Sequence, residues 1–83
     1  MAPKIGEKHA MNVLTNAGRT AGAAFVKAHP DPSLDEIRAA VGTSFMAWTE
    51  KNPAELRKAA PHISCADFFR RAFWEAVEKG AKS

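Results

Sequence analysis

Ser33-Leu34-Asp35-Glu36, Asn52-Pro53-Ala54-Glu55 and Ser64-Cys65-Ala66-Asp67 are the tetrads that decide the fold. Each sets a short polar side chain where it can accept from the unpaired N–H groups of a helix's first turn. Each adds a carboxylate three residues on, able to reach back to the cap residue's own N–H. The first two read as full capping boxes with Glu, and the third as a weaker version with Asp. Pro53 stands at a first helical position, where its missing N–H costs nothing. Three such starts, with no alternating apolar run between them, predict an all-α chain.

Working outward from these starts, a first helix is expected from about Glu7 to Ala28. It ends at His29-Pro30-Asp31-Pro32, because a residue before proline is pushed out of the α region. Ala10, Leu14, Ala17, Ala21, Ala24 and Ala28 form its regular stripe, almost entirely of small residues. Gly18 and Gly22 lie beside it, each costing a helix about 1 kcal/mol relative to alanine. A closely approaching helix backbone would offset that cost. Two sources are open: helix 2 or 4 of the same chain, or a second copy docking on Ala17, Gly18, Ala21 and Gly22.

The second helix should run from Leu34 to about Lys51, with Leu34, Ile37, Val41, Phe45 and Trp48 as its apolar stripe. A short third helix follows from Pro53 to Ala60, and Pro61 stops it. The fourth should span Cys65 to about Lys79, burying Phe69, Ala72, Phe73, Ala76 and Val77, with Gly80 as a left-handed C-cap. The expected fold is a small compact helical bundle of three main helices plus one short one. It occupies residues 7–80 as a single domain, with residues 1–6 and 81–83 as disordered ends.

A chain of 83 residues holds one domain and buries only about 60% of the surface its unfolded form exposes. Leucine is scarce, so the seven aromatics (five Phe, two Trp) must supply most of the core volume. One cysteine, Cys65, cannot make an internal disulfide, and small secreted domains usually need several. The first residues carry charges where a signal peptide needs an apolar run, and no stretch approaches the length of a membrane span. The cytoplasm is therefore the expected compartment, and no membrane the expected partner.

The net charge of +3 is uneven. Lys4, Lys8, Arg19 and Lys27 face only Glu7 in the first thirty residues. Lys4, Lys8, Asn12, Thr15, Arg19, Ala23 and Lys27 follow one ridge of the first helix, a face able to lie along phosphates. Four cations over such a length are sparse, and no helix offers the usual cluster of base-reading side chains. Nucleic acid is thus a secondary expectation.

No constellation of catalytic quality appears. At a helix start the dipole would lower the Cys65 thiol pKa, but nucleophilic catalysis also needs a base held by an orienting group. His62-x-x-Cys65 supplies at most two ligands where zinc needs three or four. The acidic residues Asp35, Glu36, Glu55 and Asp67 are accounted for by helix starts. No enzyme activity, metal or cofactor is expected. The strongest binding signal is Trp74 on the last helix, flanked by Arg70, Arg71 and Glu78. Tryptophan and arginine are the residues most enriched at interface hot spots, though a tryptophan folded over the edge of a small core would look the same. An arginine stacked on the indole would suit either case.

The run Ser33 to Trp74, a capped helix, an Asn-Pro turn and another helix, resembles the C-terminal half of small type VI amidase-immunity proteins in hydrophobic spacing. It departs from them in lacking their signal sequence and paired cysteines, and no site is carried over. The expected function is a small non-enzymatic module that binds a partner protein, as an inhibitor, adaptor or phage- or antitoxin-type accessory protein. A homodimer is allowed. The alternative is a nucleic-acid-binding regulator using the first helix's ridge.

Overall fold

Two glycines and three small residues opposite them set the geometry of the bundle. The computed structural model describes residues 5–82, in four helices: α1 (Ile5–Ala28), α2 (Leu34–Lys51), α3 (Pro53–Ala59) and α4 (Cys65–Lys82). The most intimate contact joins α1 to α4. A side chain added at Gly18 would strike the Phe69 carbonyl oxygen, and would come within 2.8 Å of Ala72 Cβ. At Gly22 it would meet the Phe73 carbonyl oxygen at 2.5 Å and Ala76 Cβ at 3.0 Å. One turn further along, Gly80 leaves its space to Val26 of α1. The residue numbers rise together, so α1 and α4 run parallel. Their small residues recur every four positions (Gly18 and Gly22 in α1; Ala72, Ala76 and Gly80 in α4), which lets two backbones nearly touch.

This packing accounts for the helix glycines within one chain. It also corrects the role expected for Gly80. No described residue has a positive φ, and α4 continues through Gly80 to Lys82 rather than turning there. Its missing side chain is needed for the approach of Val26, not for a cap. At the other end α1 begins two residues earlier than expected, at Ile5. Ala81 and Lys82 are helical, as are Ile5 and Gly6, so these four are not the disordered ends that the sequence suggested. Residues 1–4 and 83 lie outside the described residues.

The core forms on the α4 stripe. Phe73, Phe69 and Leu14 are the largest fully buried side chains, joined by Val77, Ile37, Val26 and Cys65. Rings then step across the bundle from Phe25 to Phe73 (centroids 5.7 Å apart), Phe69 (6.3 Å), Phe45 (5.3 Å) and Trp48 (6.4 Å). The aromatic core expected from the scarcity of leucine is present. Leu34 is an exception to the α2 stripe at 62% exposed. Helical side chains lean toward the preceding turn, and the first residue of a helix has none to cover.

Of the three capping signatures, Ser33 closes as predicted. Its hydroxyl accepts from Glu36 N–H, and its own N–H donates to Glu36 Oε1, both at 3.2 Å. Asn52 does not cap α3. Its side-chain amide and its backbone N–H both donate to the Trp48 carbonyl, at 3.0 and 2.9 Å, ending α2. A capping side chain needs extended backbone such as that of Ser33, and Asn52 sits at φ −130°, ψ 53°. At the third signature the Asp67 carboxylate pairs forward with Arg70 at 3.3 Å. Helix α3 ends at Ala59, one residue early.

Two predictions follow from this geometry. Gly22→Ala forces backbone apart, so the mutant loses about 1–3 kcal/mol despite its better helix propensity. Gly42→Ala meets nothing within 4 Å and gains roughly 0.5–1 kcal/mol. Urea titration of both variants checks the pair, and equal shifts would contradict the close-approach account. The hydrogen bond from Ser33 N–H, with a smaller share from the Ser33 hydroxyl, holds the Glu36 carboxyl below its ordinary value. A depressed carboxylate stabilises above its unfolded pKa and loses that contribution as pH falls through the folded one. Glu36→Gln should therefore flatten the acid limb of a stability–pH profile while leaving thermal unfolding two-state.

Candidate interaction surfaces

Because α1 spends its glycines on α4, Ala17, Ala21 and Ala24 are left on the side toward α2. Helix α2 stands farther off, reaching the core through Ile37, Phe45 and Trp48. Short side chains cannot bridge such a gap, and an open trough of about 650 Å³ remains. Val13, Ala17, Ala21 and Ala24 form one wall, Ser44, Ala47 and Trp48 the other, and Phe69 contributes from between them. Asn16, Thr20 and Asn52 add neutral polar groups. Lys51 is the one ionisable side chain in the lining.

Two of the four residues expected to support self-association, Ala17 and Ala21, line this trough. The other two, Gly18 and Gly22, are buried against α4 of the same chain. The α2 half of the trough was missed in the sequence. Its only signal there was the run of small residues at Ser44 and Ala47, beside an aromatic stripe that looked destined for the interior.

In the α4 cluster the tryptophan takes the core-edge position, one of the two left open by the sequence, and the arginines turn elsewhere. Trp74 is half-buried and packed on the core. Arg71 lies over the Phe68 ring, 5.9 Å from its centroid, rather than on the indole. Arg70 is held by Asp67, and Glu78 is exposed. The two guanidinium groups are thus drawn back along the helix by neighbours one turn or less away.

The basic ridge of α1 is also interrupted. Lys8 and Lys27 are exposed, but Arg19 turns to Glu75 of α4 at 4.0 Å. Such an exposed pair contributes at most about 1 kcal/mol, yet it sets a carboxylate into the ridge. Lys4 lies outside the described residues.

Cys65 is 7% exposed, and burial pushes its thiol up, outweighing the opposite pull of its own backbone N–H. The lowered value expected from its place at a helix start is therefore corrected: desolvation disfavours the thiolate more than the first turn favours it. No group of three or more His, Cys, Asp or Glu side chains converges among the described residues, and no described helix is long and apolar enough to cross a membrane. No known protein family, curated protein or solved structure matches the chain.

A buried thiol of raised pKa should react with a disulfide reagent only when the bundle opens. Labelling of the native protein is expected to be slower by a factor of a hundred or more than in denaturant (an order-of-magnitude figure from the size of folding equilibria). Rapid native-state labelling would contradict the placement of Cys65.

Proposed function

We propose that this protein is a non-enzymatic interaction module that takes an amphipathic helix of a partner protein into the α1–α2 trough. The observation that supports this reading is the trough itself, walled by short side chains that let a third helix approach the backbones closely. From Val13 to Ala24 the α1 wall runs about 17 Å, or roughly three helical turns. That length suits the spacing by which grooves read amphipathic helices, with anchors at i, i+3 or i+4, and i+7. Lys51 stands in the lining, and Lys27 follows Ala24 by one turn on the same face of α1. Together with the net charge of +3, they favour a segment bearing carboxylates at its ends. The single buried cysteine fits a cytoplasmic setting.

The test uses Ala24→Glu, because Ala24 is exposed and lines the trough. Partners captured by the native chain are identified, purified and titrated against both forms, following Trp48 emission. The variant should keep its helicity and bind at least about tenfold more weakly, as expected for a charge set into an apolar contact. Unchanged affinity would overturn the trough as the site. Sedimentation decides whether a second copy is the occupant instead: that outcome requires a dimer that Ala24→Glu dissolves. Capture abolished by nuclease and by Lys8→Glu would support the nucleic-acid reading in its place.

A further inference from the structure

On the far side of Val13 from the trough lies a second, more sharply bounded recess of about 400 Å³. It is built from three parts of the chain: the first turns of α1, the body of α3 and the loop that follows α3. Its volume falls within the roughly 300–1,000 Å³ of small-molecule sites. Ala10, Val13, Ala59 and Pro61 make its apolar walls. Its polar groups are two imidazoles, a guanidinium, an ammonium and one carboxylate, from His9, His62, Arg57, Lys58 and Glu55.

The charges are not matched. Glu55 is engaged by His9, with Nε2 3.5 Å from Oε2 across the α1–α3 junction. Arg57 and Lys58 pair with no carboxylate among the described residues. Two adjacent cations therefore stand at a cavity with apolar walls whose single carboxylate, Glu55, lies closest to His9 rather than to either of them. We infer that this recess binds a small organic anion with a phosphate monoester head, held by Arg57, Lys58 and His62, its apolar body lying against Val13 and Pro61. A phosphate monoester suits the site better than a carboxylate. It carries up to two charges toward two cations that pair with no carboxylate among the described residues, and it presents three terminal oxygens to three donors. Arginine contributes a planar fork and lysine a point charge, the usual division of labour in phosphate recognition.

The inference is independent of the trough and is tested separately. Phenyl phosphate, inorganic phosphate and benzoate are titrated into the full chain at constant ionic strength, following backbone amide and imidazole resonances. Phenyl phosphate should move the resonances of His9, Lys58 and His62 and bind more tightly than either of the others. Inorganic phosphate lacks the apolar body, and benzoate lacks the third oxygen and second charge. Arg57→Gln and Lys58→Gln should each weaken phenyl phosphate about tenfold, the loss expected for one charge-assisted hydrogen bond. Both positions are exposed, so circular dichroism should show an unchanged fold. Glu55→Gln should act in the opposite direction. It removes the one negative charge and releases His9, so affinity should rise severalfold. Cations that served only to stabilise the end of α3 would change thermal stability and leave binding unmoved. Shifts of equal size for all three anions, or affinity unaltered in both single variants, would overturn the assignment.

Discussion

The near-contact of the α1 and α4 backbones governs the rest of this molecule. Gly18 and Gly22 face the carbonyls of Phe69 and Phe73 with no side chain between. That closeness brings Phe69 and Phe73 onto the axis of the bundle, where they are almost wholly buried. It also decides what α1 has left to offer. Its glycine face is spent, and its alanine face, too short to reach α2, borders the trough. The open surface is thus a by-product of the tight one. Dispersion energy is gained where atoms meet and forfeited where they stand apart, and this bundle places both extremes on one helix.

Side-chain size divides the work. The small residues control distance, and the aromatics control position. Phe45 lies 5.3 Å from Phe69, ring to ring, and holds α2 to the pair without drawing its backbone close. Edge-inclined rings at such separations add specificity beyond the area they bury. A core made this way has few adjustable parts. It leaves the polar surface, including the recess by α3, to be shaped by a short helix and a loop.

The sequence was most legible where one helix spoke for itself. The Ser33 box, the breaks at Pro30 and Pro61, and the Phe69–Phe73–Val77 stripe are local statements, and the structure repeats them. Legibility failed where a residue answered to two neighbours. Asn52 carries the chemistry of an N-cap, but the turn between α2 and α3 gives it the backbone of a C-terminal residue. Gly80 has the look of a helix stop, and Val26, distant in sequence, explains it instead. Arg71 was open to stacking on the Trp74 indole and lies instead over Phe68, three residues behind it. The trough and the recess each need walls from separate helices, so neither could be drawn from a periodicity. Ala17 and Ala21 were visible as a small-residue face, but what stood opposite them was not.

The parallel course of α1 and α4 carries a consequence for how the chain reaches this state. Neighbouring helices joined by a tight turn run antiparallel, and their contacts are local. Here the tightest contact links residues about 50 positions apart, with α2 and α3 carrying the chain back between them. Closing so long a loop is entropically unfavourable before any packing repays it, and distant pairings slow folding even in helical proteins. During synthesis, α1 is made well before α4. The glycine-weakened α1 helix has only its lesser contacts with α2 and α3 until Phe69 and the residues after it have been made. The last major helix acts as the keystone: it arrives late, and the earlier helices acquire their final positions only against it.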